Sequence, residues 1–192
     1  MKVVDYYLSP VSPWTYLGHA RLLLIAKRLG VAINVKPVDY GVIFPVSGGL
    51  PLGKRAPQRQ AYRLMELKRW GEHLAVPLTL QPKYFPADGT AAAQLICGAR
   101  ESGRMALAGD LLSAVWAREE NIADMGTLTR IAADHGIDDV AGVIETGKAV
   151  YTANTEEALE RQVFGAPTYV YSGELFWGQD RLEFLERALA RS

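Results

Sequence analysis

The apolar positions of this chain change their spacing three times, and each change marks a new kind of element. Lys2 to Leu8 is short, rich in Val and Tyr, and stops at Ser9-Pro10, which predicts a strand. From Pro13 to about Leu29, the residues Trp14, Leu17, Leu22, Leu24 and Ile25 fall mostly on one helical face, and Gly30 stands where a helix ends. Val31 to Val38 returns to β-branched residues and reads as a second strand. Strand, helix and strand within about 40 residues predict a βαβ unit with parallel strands and a right-handed crossover.

The pattern then breaks. Tyr40 to Pro57 holds Gly41, Pro45, Gly48, Gly49, Pro51 and Gly53, and is expected to be a long loop of the functional or mobile kind. Helical spacing returns in Gln58–Leu74, Gly89–Ser102, Arg104–Glu119 and Thr127–His135, with shorter helices at Val140–Glu145 and Thr155–Val163. Val76 to Asp88, with Pro77, Pro82 and Pro86 beside Tyr84-Phe85, is expected to be a packed loop.

The last block is β-prone again. Thr168–Tyr171 and Glu174–Trp177 flank Ser172-Gly173, a two-residue hairpin turn. Asp180 with Glu183 three residues on forms a capping-box pattern that opens a final helix to about Ala190. The order βαβ, helices, ββα predicts an α/β fold in which residues 1–40 and 164–192 form one unit and residues 41–163 a connecting loop and helical insertion. No internal repeat or low-complexity tract interrupts it.

Composition narrows the function classes. With 192 residues the chain can bury about 70% of its unfolded surface, enough for one or two cores. Its 21 basic and 21 acidic residues cancel, so no overall field recruits nucleic acid or an anionic membrane, and a small ligand is the expected partner. The single cysteine, Cys97, has no mate for a disulfide or a C-x-x-C pair, which suits a reducing compartment. Asp5 within the first strand leaves no room for an apolar signal core, and no run approaches the about 18 apolar residues of a membrane span. A soluble, cytoplasmic protein is expected.

Most familiar site chemistries find no residues to carry them. His19, His73 and His135 lack metal-ligand spacing. There is no G-x-S-x-G elbow, and Gly48-Gly49 and Gly53-Lys54 lack the spacing of a phosphate loop. Ser12 is different: it reads as the N-cap of the first helix with Pro13 at the first helical position, so the free amides and the hydroxyl form an anion-binding corner. Lys54, Arg55 and Arg59 form a basic cluster that is either a solvated helix start or an anion contact. Pro167 either begins an edge strand or, with a cis Ala166-Pro167 bond, turns the Ala166 backbone outward to pair with an extended peptide.

Ser12-Pro13-Trp14-Thr15-Tyr16-Leu17-Gly18, Phe164-Gly165-Ala166-Pro167-Thr168 and Trp177-Gly178-Gln179-Asp180-Arg181 together resemble the 2-hydroxychromene-2-carboxylate isomerases and kappa-class glutathione transferases, which have a DsbA-like thioredoxin fold with a helical insertion. The stretch from Tyr62 to Trp70, Val76-Pro77, Val115-Trp116 and Asn121-Ile122 extend the resemblance over nearly the whole chain.

The resemblance implies glutathione as cofactor, with Ser12 as the catalytic residue donating a hydrogen bond to its sulfur where disulfide oxidoreductases keep a cysteine. It implies a cis Pro167, Ala166 pairing with the glutathione backbone, Gln179 and Asp180 at the γ-glutamyl end, and Arg59 as a further contact. For an isomerase it implies a flat aromatic acid as substrate, with Trp14, Tyr84, Phe85 and Trp177 as walls and Lys54 or Arg55 at the carboxylate. It admits a homodimer through the helical block. A kappa-class-like transferase or peroxidase and a non-catalytic binding module are the alternatives, while the missing cysteines argue against disulfide exchange.

Overall fold

The computed structural model describes residues 2–191. Strand β1 (Val3–Leu8) leads through helix α1 (Pro13–Leu29) to strand β2 (Ala32–Pro37), which pairs in parallel with β1 from Val3 opposite Ala32 to Leu8 opposite Pro37. The predicted βαβ unit is therefore present.

Helix α2 (Tyr40–Ser47) occupies the first half of the expected long loop. The Asp39 carboxylate caps it by accepting from the Gly41 amide at 2.7 Å, and Gly48 ends it at φ 75. Pro45 had suggested a break, but in a helix this short it forfeits a single backbone hydrogen bond. A 3-10 turn at Leu52–Lys54 precedes helix α3 (Pro57–Leu74), with Pro57 at its first position. Helices α4 (Thr90–Gly98) and α5 (Glu101–Trp116) follow, and Arg104 closes the first of them by donating to the carbonyls of Ala99 and Cys97.

Helix α6 (Met125–Asp134) starts at an Asp124 cap as the sequence suggests. The two short helices expected after it are one, α7 (Val140–Glu160). Its Gly, Thr and Asn residues blur the helical spacing but have packing roles. A side chain on Gly147 would run into the Gln94 carbonyl of α4, and one on Gly98 into the Val143 carbonyl, so these glycines let the two helices cross backbone to backbone. Buried Asn154 donates to the Pro37 carbonyl and ties α7 to the end of β2.

Strand β3 (Thr168–Tyr171) runs antiparallel to β1, with Tyr6 opposite Tyr169, and β4 (Glu174–Trp177) completes the sheet in the order β2-β1-β3-β4. Ser172 and Gly173 both adopt the left-handed backbone that the predicted two-residue turn demands. Asp180 does not cap the last helix; it lies inside a 3-10 turn, Gln179–Arg181, that precedes α8 (Leu182–Arg191).

Alternation along β1 sends Val4, Tyr6 and Leu8 into one core and Tyr7 into another, so this strand is buried on both faces. The larger core runs without a break from those residues through Leu22 into Leu95, Leu111, Trp116 and Leu128 of the helical block. The helices thus share their core with the sheet they cover.

Two measurements test this packing. Gly147→Ala is expected to cost about 1–3 kcal/mol in urea unfolding because the intruding methyl meets backbone, which cannot step aside. Gly103→Ala, at an open helical position, is expected to be neutral or stabilising by up to about 1 kcal/mol. The second concerns His19, buried in α1, whose Nε2 donates to the Met105 carbonyl at 3.0 Å while Nδ1 accepts from the Tyr6 hydroxyl at 3.2 Å. Burial pushes its pKa down to about 4, although the Met105 bond opposes the shift. An unfolded histidine protonates near about 6.5, so the stabilisation is complete above that pH and is lost as pH falls from about 6.5 towards 4, by roughly 2–3 kcal/mol. His19→Gln is expected to flatten that slope in a pH series of unfolding curves.

Candidate active site

The end of β1 and the start of α1 build the first wall. The Ser12 amide donates to the Ser9 carbonyl at 3.1 Å, folding Ser9-Pro10-Val11 into a tight turn. Ser12 then takes an extended backbone, φ −84 and ψ 123, and its Oγ accepts from the Thr15 amide at 3.2 Å. It is the N-cap predicted from Ser-Pro. That bond uses a lone pair, and among the described residues no acceptor engages the Ser12 hydroxyl proton, which is left for a ligand.

The second wall is the segment entering β3. The Ala166-Pro167 peptide is cis. The Gly178 amide donates to the Pro167 carbonyl at 2.9 Å, and the Gly165 carbonyl accepts from both the Tyr40 and Thr168 hydroxyls. Neighbouring backbone groups are thus committed, whereas the N–H and C=O of Ala166 bond to no other described residue. Gly165 is glycine because the Trp177 indole lies where its Cβ would be, and Trp177 meets Phe164 edge to face at 4.8 Å.

Between these walls and α3 lie two adjoining cavities of about 590 and 490 Å³. They share Trp14, Arg55, Arg59, Arg63, Ala166 and Trp177. The larger, a polar lobe, adds Tyr62, Glu66, Trp70, Gln179 and Asp180. The smaller adds Ser12 with Tyr40, Phe44, Phe85 and Phe164, and no acidic residue lines it.

A scan for known families finds the DSBA-like thioredoxin domain over residues 3–190. The 2-hydroxychromene-2-carboxylate isomerase of Pseudomonas putida is 30% identical, covering 98% of this chain and 95% of that protein. The isomerase of the same name from Sphingobium xenophagum is 29% identical over 98% of both. The chain belongs to this family. A solved 2-hydroxychromene-2-carboxylate isomerase superposes with a TM-score of 0.87 at 25% identity, covering 98% of this chain and 95% of that one. Membership of the 2-hydroxychromene-2-carboxylate isomerase family makes the protein an isomerase built on a DsbA-like thioredoxin fold.

Within this isomerase the residues singled out from sequence divide by position. Ser12 and Phe85 line the smaller lobe, Gln179 and Asp180 the polar one, and Trp14, Arg55, Arg59, Ala166 and Trp177 both. Lys54, Tyr84 and Pro167 line neither; the Tyr84 ring lies under the Lys83 ammonium at 5.0 Å, and Pro167 stands next to the wall residue Ala166, joined to it by the cis bond. Gln179 is buried, and its side-chain oxygen accepts from Arg21 of α1 at 2.8 Å, with its backbone carbonyl taking a second bond at 3.1 Å. Arg21 thereby fixes the turn that presents Asp180.

Sequence reasoning missed Arg63, Tyr40, Phe44 and Phe164. Arg63 follows Arg59 by one helical turn, a spacing that puts both on one face of α3 and could have exposed it. Its guanidinium sits 5.3 Å from the Phe85 ring centre and 5.7 Å from that of Trp116. Burial, with Arg55 nearby, pulls its pKa down to about 10, which still leaves it cationic at neutral pH. Cys97, by contrast, is buried outside both lobes, where burial pushes its thiol up to about 12 and keeps it unreactive.

Proposed function

We propose that this isomerase acts on an aromatic conjugated acid of the 2-hydroxychromene-2-carboxylate type, with glutathione as cofactor. The observation that carries the reading is the Ser12 lobe itself: an unspent serine hydroxyl faces an apolar space that three arginines line and no carboxylate does. Such a lobe suits a flat apolar body with a negative charge. The polar lobe suits a small peptide, because Ala166 offers it an unused backbone N–H and C=O, and Arg59 and Asp180 offer charges of both signs.

Bound there, glutathione would supply a thiolate whose reversible addition to the conjugated double bond allows that bond to rotate without consuming thiol. The protein's part is to hold charge and geometry. Ser12 would hydrogen-bond the sulfur through its hydroxyl, keeping the proton on oxygen, while that oxygen stays bonded to the Thr15 amide, so the helix cap holds the donor in place. Trp14 and Trp177 stand in the wall common to both lobes, where the thiol and the substrate would meet. The arginines hold the carboxylate end and favour the electron-rich form of the acid.

Turnover of 2-hydroxychromene-2-carboxylate, followed by ultraviolet absorbance with and without glutathione, tests this. Isomerisation is expected only with glutathione present, with the free-thiol titre unchanged after many turnovers. Falling thiol would assign the site to a transferase or peroxidase, and equal rates without glutathione would overturn the cofactor assignment.

A further inference from the structure

The three arginines of the α3 side are not equivalent. Arg55 is partly committed, its Nε donating to the Leu50 carbonyl at 2.8 Å. Arg59 is exposed, so water and salt screen it. Arg63 is half-buried and held by the apolar faces of Phe85 and Trp116. It makes no ion pair and no hydrogen bond with another described residue, although Arg69, Arg118, Arg161 and Arg181 all reach carboxylates. Of the two acids lining the polar lobe, Glu66 pairs with Arg69 and Asp180 has Arg181 at 3.4 Å, and neither pairs with Arg63.

A guanidinium whose carbon lies over two aromatic rings, 5.3 and 5.7 Å from their centres, keeps five N–H donors that meet no hydrogen-bond acceptor among the described residues. A half-buried cation without an anion is costly unless a ligand supplies the charge. Phe85 and Arg63 line the same Ser12 lobe, so a flat acid resting against Phe85 shares that lobe with the guanidinium fork. That geometry permits two parallel N–H···O bonds, which a lysine cannot reproduce.

Resting on the aromatic-acid reading above, we propose that Arg63 is the specificity-determining residue of the Ser12 lobe: it binds the substrate carboxylate in bidentate fashion and selects acids over neutral analogues. Lys54 has no part in this selection, and Arg55 and Arg59 add only field.

The test is the ratio of affinities for 2-hydroxycinnamate and its primary amide, read by quenching of tryptophan fluorescence in the full-length protein saturated with glutathione. The wild type is expected to prefer the acid by at least about tenfold, the scale of a hydrogen bond to a charged group. Arg63→Met, which keeps the stem packed on Phe85, is expected to weaken acid binding by about 10- to 100-fold and leave amide binding unchanged. Arg63→Lys is expected to restore part of the preference, and Lys54→Met to retain all of it. A preserved acid preference in Arg63→Met, or full preference in Arg63→Lys, overturns the bidentate assignment while leaving the aromatic-acid reading standing. A wild type that binds acid and amide alike overturns that reading, and the assignment of Arg63 with it.

Discussion

One hydrogen bond, from the Thr15 amide to the Ser12 hydroxyl oxygen, organises the site. It closes the N-terminus of α1, and because it occupies an oxygen lone pair it leaves the proton of the same hydroxyl to point elsewhere. A serine used this way is a structural cap and a fixed donor at once. Moving an ordinary thiol from a pKa of about 8.5 down by two units takes roughly 2.7 kcal/mol in favour of the thiolate. A hydrogen bond to a charged group supplies about 1.5–3 kcal/mol and a helix N-terminus about 0.3–2. Either alone is marginal, and on the proposed reading the Ser12 corner would supply both to a bound thiol.

The rest of the fold keeps that corner where it is. β1 is buried on both faces, so the turn at its end cannot shift without disturbing two cores. The β3 entry is fixed from three sides, by the Gly178 amide on Pro167 and by the Tyr40 and Thr168 hydroxyls on Gly165. Tyr40 belongs to α2, whose Phe44 lines the Ser12 lobe, so the helix that shapes the cavity is tied to the segment that offers Ala166. Helix α3 is different in kind: Leu67 and Gly71 are its buried residues, and it faces the cleft with arginines. The scaffold is rigid on the serine side and presents charge from the other.

Much of this was legible in the sequence because it depends on local chemistry. Ser12-Pro13 announced its cap, Ser172-Gly173 its turn, and the β-branched runs their strands. Where the reading failed, a tertiary constraint had overridden a local signal. Pro45 looked like a breaker but costs a short helix little, and Gly147, in the gap between the two short helices the sequence predicts, is what lets α7 cross α4 at Gly98. Asp180 had the spacing of a capping box but lies inside a 3-10 turn. Among site residues, Lys54 and Tyr84 neighbour cleft residues along the chain but line neither lobe, whereas Arg63 is brought in by the turn of α3 and by Phe85, 22 positions away along the chain. No spacing rule connects two residues that meet only because a loop folds back.

The claim at the centre of the account is that the Ser12 hydroxyl holds glutathione sulfur as a thiolate. The direct measurement is the ultraviolet thiolate absorbance of glutathione bound near neutral pH, compared between the wild type and Ser12→Ala at matched saturation. The account expects the band in the wild type and its loss in the variant, with glutathione still bound through the polar lobe. Thiolate absorbance of equal strength in both proteins would contradict it.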